Sequence, residues 1–93
     1  MPALTLYWRE YCHLCHDLLA GLLALQVEMS AEAGVESVFT VEILDVDADP
    51  ALEARYDELV PVLVGGAGTG KEKQLCHYHL DPAAVRAYLA EIR

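Results

Sequence analysis

A strand–helix–strand pattern in the first half of this chain constrains its fold more than any other feature. Residues 4–8 alternate around leucine and tryptophan and predict a short strand. Residues 38–44 are rich in β-branched side chains and predict a second strand. Between them, residues 13–29 carry apolar side chains at a spacing near 3.6, which predicts an amphipathic helix. Its apolar positions are Cys15, Leu18, Leu19, Leu22, Leu25, Val27 and Met29. Such a unit has parallel strands and a right-handed crossover.

The second half of the chain predicts a short helix, a hairpin and a final helix. Asp49-Pro50 begins a helix over residues 50–57, because aspartate caps a helix and proline fits its first turn. Residues 60–64 and 73–78 predict strands that pair as an antiparallel hairpin around a glycine-rich turn. Asp81-Pro82 begins the last helix. The small residues of 30–34 end the first helix, and the buried face of the last helix is predicted to be Val85, Tyr88, Leu89 and Ile92. The order βαβαββα predicts an α/β fold with a four-stranded mixed sheet and three flanking helices.

Length and charge narrow the class of protein further. Ninety-three residues predict one domain over 1–93, and 55% hydrophobic residues indicate a globular chain. A net charge of −9 argues against nucleic acid as a partner. The amino terminus has no basic leader, and the apolar stretch Leu18 to Leu25 is too short to cross a membrane. We therefore expect a soluble cytoplasmic protein without a membrane partner. The oligomeric state is left open, with a monomer as the expectation.

The cysteine pair Cys12 and Cys15 lies where the first strand gives way to the first helix. The first turn of a helix presents unpaired N–H groups and the positive end of the helix dipole, which stabilise a thiolate. The pKa of Cys12 should therefore fall below the value of about 8.5 of a free cysteine. Cys15, one turn further in, could then resolve a mixed disulfide. Arg9 and His13 could add positive charge near Cys12. This pattern predicts redox chemistry in a reducing compartment.

The same cysteines and histidines also match other kinds of site. Cys12 to His16 satisfies the CxxCH pattern of haem attachment, which normally occurs outside the cytoplasm and is therefore rejected. A zinc site lacks a second close cysteine pair, so no metal ligands are assigned. A cluster shared between two copies of the chain through Cys12 stays open. The alternative function is thus a binding or adaptor module with little turnover, carrying a metal or iron–sulfur cluster. Cys76, in the last strand, is expected to pack in the core.

The motifs resemble the glutaredoxin-like members of the thioredoxin superfamily over essentially the whole chain. Residues 6–15 look like the family's first strand and active-site loop, with a basic residue three positions before the first cysteine. The segment Asp45-Val46-Asp47 is similar to the end of the family's second strand, and Val60-Pro61 matches its Val-Pro dipeptide. The Cys-His-Leu-Cys loop resembles that of small bacterial glutaredoxin-like proteins.

The resemblance implies a thioredoxin fold and dithiol–disulfide exchange, with Cys12 attacking and Cys15 resolving. It implies a cis peptide bond before Pro61, which would lie against the active-site disulfide. The backbone of Val60 would pair with an extended thiol peptide. The substrate-binding residues are then predicted to be Arg9, Tyr11, His13, Val60, Pro61 and Asp81.

The resemblance also implies the partners of the reaction. No tightly bound cofactor is expected, and glutathione is a candidate co-substrate. The chain departs from glutathione-using glutaredoxins at Leu59, where they usually carry threonine, and at residues 76–79, where they carry a Gly-Gly pair. Glutathione is anionic, as is this protein. The expected partner is therefore a disulfide-containing protein or a glutathione mixed disulfide, with a thioredoxin-type reductant as the alternative to glutathione.

Overall fold

The computed structural model describes residues 2–92 and arranges them as four strands and three α-helices. In chain order the elements are β1 Ala3–Trp8, α1 His13–Ala33, β2 Thr40–Asp45, a 3₁₀ turn Val46–Ala48, α2 Pro50–Tyr56, β3 Val62–Gly65, β4 Lys73–His77 and α3 Pro82–Glu91. The predicted order βαβαββα is confirmed.

The sheet is mixed, as predicted, and its strand order is β2-β1-β3-β4. β1 pairs in parallel with β2, which it reaches through α1. β3 lies antiparallel to β1 on the other side, and β4 lies antiparallel to β3 with a register irregularity between Leu63 and Val64. β2 and β4 are therefore the outer strands, and β1, which leads into the cysteine pair, is central.

Two apolar cores cover the two faces of the sheet, because neighbouring strand residues point to opposite sides. Leu4, Leu6 and Leu63 face α1 and α3 in the larger core. Tyr7 and Val62 face the other way. That smaller core consists of Tyr7, Val46, Tyr56, Val62 and Val64, with the rings of Tyr7 and Tyr56 stacked at 4.4 Å. The seven-residue helix α2 thus rests on a small core of its own.

Helix α1 is one turn longer than the sequence pattern predicts. Ser30 was predicted to begin a break, but it lies inside the helix and is buried. Its hydroxyl group donates to the carbonyl oxygen of Gln26 at 2.6 Å and accepts the Val38 N–H at 3.2 Å. These bonds satisfy its polar group inside the fold, so the helix continues. It ends at Gly34, whose φ of 68° is a left-handed conformation that glycine adopts without strain.

Two strands begin two residues later than predicted. Residues 38 and 39 are bound to α1 instead of joining β2, because Ser30 accepts the Val38 N–H and the side chain of Gln26 donates to the Phe39 carbonyl oxygen at 2.6 Å. The N–H of Val60 donates to the Tyr56 carbonyl oxygen at 3.1 Å, so β3 begins only after Pro61. β4 ends at His77, one residue earlier than predicted.

Two side chains predicted to be buried are exposed. Val27 is 70% exposed because it lies two positions beyond Leu25, about 200° around the helix from it. Ile92 is 44% exposed because α3 ends at Glu91 and Ile92 caps it, with its N–H donating to Tyr88. Val85, Tyr88 and Leu89 are buried as predicted.

Among residues 2–92, α1 alone has the length and apolar composition of a helix that could cross a membrane. A helix that covers the core of a small domain meets the same criteria. Here Leu18, Leu22 and Leu25 are buried on the larger core, against the sheet.

Candidate active site

Every candidate site residue lies at one end of the sheet, beyond the ends of its strands. Trp8, at the end of β1, is paired with Asp45, at the end of β2. Tyr7 is paired with Val62 at the start of β3, and Val62 with His77 at the end of β4. The segments that extend beyond these residues therefore meet, and both α1 and α3 begin there. We call this end of the fold the cysteine edge; it consists of residues 9–15, 46–47, 57–61 and 78–81.

Cys12 and Cys15 are joined as a disulfide, with their Cα atoms 5.2 Å apart. Cys12 is the N-cap of α1, and its Sγ accepts the backbone N–H of Cys15 at 3.1 Å. Cys12 is half-buried, whereas Cys15 is fully buried. The predicted placement at the helix start is therefore confirmed. The N–H groups of a helix start stabilise negative charge on the Cys12 sulfur once the disulfide is reduced.

Arg9 lies between the active-site loop and two other segments of the cysteine edge. Its Nε donates to Asp47 Oδ1 at 2.9 Å, its Nη1 donates to the Asp57 carbonyl oxygen at 2.9 Å, and its Nη2 donates to Asp57 Oδ1. These hydrogen bonds, the one to Asp47 foremost, raise the pKa of Arg9. The guanidinium group was expected to add positive charge near Cys12. It forms ion pairs with Asp47 and Asp57 within the fold, and its predicted effects on Cys12 and on substrate stay predictions.

The other polar candidates lie around the cysteines at the surface. Tyr11 is 80% exposed. The His13 ring is almost fully exposed, with its Nε2 3.8 Å from an oxygen of Asp17. Asp81 caps α3 as predicted, since its Oδ1 accepts the Ala84 N–H at 3.2 Å. Their contacts with substrate stay predictions.

The Val60–Pro61 peptide bond is cis, as the resemblance implies. Pro61 is buried, and its carbonyl oxygen accepts the Tyr78 N–H at 2.9 Å. The N–H of Val60 donates to the Tyr56 carbonyl oxygen within the fold, and the predicted pairing of the Val60 backbone with a peptide stays a prediction. A substrate strand that pairs here without breaking that hydrogen bond can use only the carbonyl group of Val60, as an acceptor.

The sequence reasoning missed three residues that shape this edge. His16 donates from Nε2 to the Glu10 carbonyl oxygen at 2.5 Å, and its ring packs 4.6 Å from Trp8, so it fixes the loop before Cys12. Asp57 binds Arg9. Tyr78 has a φ of 64°, unusual for a residue with a side chain, and its hydroxyl group donates to the Glu58 carbonyl oxygen at 2.5 Å. No local sequence signal marks the roles of Asp57 and Tyr78, because their partners are 48 and 20 residues away.

Cys76 is the free cysteine among the described residues, and it packs half-buried against the larger core. Burial raises the pKa of its thiol, while a hydrogen bond from the Asp81 backbone opposes that shift. No three His, Cys, Asp or Glu side chains within residues 2–92 converge as a metal-binding group.

Cys76 is expected to be a poor nucleophile. Because its pKa is raised, the reactive thiolate is a smaller fraction at pH 7.5 than in a free cysteine, and the fraction grows as the pH rises. In a Cys12→Ser/Cys15→Ser variant, iodoacetamide should therefore label the folded protein more slowly than the urea-unfolded chain, as followed by mass spectrometry. Equal labelling rates in the two states would contradict the burial of this thiol.

A mixed sheet of this order, a cis proline at its edge and a CxxC disulfide at a helix start define a thioredoxin-fold protein with a redox-type site. The chain belongs to the glutaredoxin-like domain family (DUF836), which matches residues 3–90. No curated protein matches it.

Solved structures agree with this assignment. Protein Ne2328 from Nitrosomonas europaea, determined by NMR, is 36% identical with a TM-score of 0.72, over 94% of this chain and 89% of that one. Protein XcR50 from X. campestris is 33% identical with a TM-score of 0.57, over 95% of this chain and 96% of that one. Fasciola hepatica thioredoxin, 20% identical with a TM-score of 0.60 over 99% of this chain and 81% of its own, shares the fold.

Proposed function

We propose that this protein is a thiol–disulfide oxidoreductase in which Cys12 is the nucleophile and Cys15 the resolving thiol. One observation carries the proposal. The Cys12 sulfur is the N-cap of a 21-residue helix, and the Cys15 sulfur lies within disulfide distance beneath it, fully buried. The two thiols therefore have different roles, because the half-buried Cys12 can contact a substrate and the fully buried Cys15 cannot.

The reduced protein supplies the two electrons of the reaction. The Cys12 thiolate attacks one sulfur of a substrate disulfide, so that an S–S bond forms to Cys12 and the first substrate thiolate leaves and takes up a proton. The Cys15 thiol loses its proton and attacks the Cys12 sulfur. The Cys12–Cys15 disulfide forms, and the second substrate thiol is released. An external dithiol or two glutathione molecules then return the pair to its reduced form.

Charge at the cysteine edge favours a protein disulfide as the substrate. Exposed carboxylates lie on or beside this edge, and the guanidinium group of Arg9 is already paired with two of them. They are Glu10, Asp17, Asp45, Asp47, Asp49, Asp57 and Glu58. Such a surface repels an anionic glutathione adduct at long range and attracts a substrate with a basic surface around its disulfide.

A redox titration tests the proposal. The protein is equilibrated in buffers of defined dithiothreitol ratio, alkylated and weighed by mass spectrometry, with Cys76→Ser as the control that leaves only the active pair. We expect Cys12 and Cys15 to change together in one two-electron transition, for which a tenfold change in the equilibrium ratio corresponds to about 30 mV. Two cysteines that titrate separately, or that stay reduced in every buffer, would refute it.

A further inference from the structure

The segment 57–61, which carries the cis proline, is bound to the rest of the cysteine edge from two directions. Arg9 holds its start through both the carbonyl oxygen and the carboxylate of Asp57. Tyr78 holds the remainder, since its hydroxyl group donates to the Glu58 carbonyl oxygen and its N–H donates to the Pro61 carbonyl oxygen. The segment that carries Pro61 is therefore held by two residues that lie outside the segment itself, Arg9 and Tyr78.

Arg9 is also bound to the nucleophile's own turn. Its carbonyl oxygen accepts the N–H of Cys12 at 3.1 Å, and its Nε reaches Asp47, in the turn that follows β2. Arg9 thus joins three segments of the chain, since its partners Asp47 and Asp57 lie 38 and 48 positions from it. Its side chain is only 15% exposed, which leaves little of it for contact with a substrate.

We infer that Arg9 is a positioning residue, which fixes the gap between the Cys12 sulfur and the Val60–Pro61 segment where the substrate disulfide must enter. The inference rests on the proposed function. A guanidinium group suits this task because its planar, rigid fork binds a carboxylate and a carbonyl group simultaneously. Disulfide exchange needs the attacking sulfur in line with the substrate S–S bond, so a displaced segment lowers the rate even though both cysteines are intact.

A positioning role for Arg9 and a direct contact between Arg9 and substrate predict different effects of the substrate's charge on the rate. A positioning residue acts on every disulfide, whereas an arginine that binds substrate carboxylates acts only on anionic ones. Two small disulfides separate these cases. Bis(2-hydroxyethyl) disulfide is neutral, and oxidised glutathione is anionic.

The experiment mixes pre-reduced protein with each disulfide and measures the single-turnover rate by acid quench and mass spectrometry. For Arg9→Gln we expect the single-turnover rate to fall about 10- to 100-fold, as for a misplaced reacting group. The factor should be the same for both disulfides. Arg9→Lys keeps one ion pair without the fork and should recover part of the rate. Loss confined to oxidised glutathione, or no loss at all, would overturn the inference.

Asp57→Asn gives a second test, which is read on the neutral disulfide because the substitution also removes a carboxylate that repels oxidised glutathione. If Arg9 positions the segment, this variant slows exchange with bis(2-hydroxyethyl) disulfide, because the segment loses its ion pair. If the variant keeps the wild-type rate with this neutral disulfide, the inference is refuted.

The matched control is Arg86→Gln. Arg86 is also an ion-paired arginine, bound to Glu32 at 2.8 and 3.2 Å, but it lies in α3 against the far part of α1. It should keep the wild-type rates. Circular dichroism confirms that each variant is folded.

The failure of the proposed function and the failure of this inference give different results. If the wild-type protein reacts with none of the three substrates, the two small disulfides and a protein disulfide, the proposed function itself is refuted. A wild type that reacts and an Arg9→Gln variant that reacts equally fast would refute only the role of Arg9.

Discussion

Replacing Cys12 by serine is expected to abolish disulfide exchange. A serine hydroxyl group keeps the N-cap bond to the Cys15 N–H, so the helix start is preserved, but it cannot form a mixed disulfide. The loss should be on the order of 10³-fold or more, as when the nucleophile of a catalytic unit is removed. Reduction of insulin disulfides, followed by turbidity, measures the effect directly.

Two further cysteine variants serve as controls for this result. Cys15→Ser should still attack but fail to resolve, so a covalent adduct between Cys12 and the substrate accumulates and is visible on a non-reducing gel. Cys76→Ser should keep wild-type activity, since its thiol packs against the core. Full activity in Cys12→Ser would contradict the assignment of the nucleophile.

Gly65→Ala is expected to destabilise the fold strongly. Gly65 ends β3 and is buried, and a Cβ atom placed there would lie 2.4 Å from the ring carbon Cζ of Tyr88 in α3. The Tyr88 ring is itself buried and cannot swing away freely. Overpacking of this kind typically costs about 1–3 kcal/mol of unfolding free energy. Urea unfolding, followed by circular dichroism, measures the change.

A double-mutant cycle identifies the cause of that loss. Tyr88→Leu removes the ring that the added methyl group would meet, so Gly65→Ala should cost less in the Tyr88→Leu background than in the wild type. The same cost in both backgrounds would show that strain in the strand, and not the contact with Tyr88, is responsible. The activity of the folded fraction should be unchanged, because Gly65 lies at the opposite end of β3 from Pro61.

The parts of this fold that follow from local sequence could be predicted. Alternation and helical spacing determine the order of elements, and an Asp-Pro pair marks the start of both α2 and α3. The position of Cys12 at the start of α1 also needs only local information. These features depend on residues within a few positions of each other, where spacing and capping preferences act directly.

The features that sequence reasoning missed depend on distant partners. Ser30 continues α1 because Val38 supplies a hydrogen bond that is invisible in the local pattern. The sequence predicts that Arg9 contacts substrate, and only the fold shows that its guanidinium group is bound to Asp57. Only the fold shows that the N–H of Val60 donates to the Tyr56 carbonyl oxygen. The large energetic effect of Gly65 likewise needs the position of Tyr88.

The place of β2 at the outside of the sheet has a consequence for association between copies of the chain. An outer strand presents unpaired backbone groups on which another chain could add a strand and begin to aggregate. β2 carries Glu42 and Asp45 with exposed side chains. Two copies that approached each other by this strand would bring carboxylates together, and the net charge of −9 adds to the repulsion. The acidity of the protein therefore disfavours the pairing of two copies through β2.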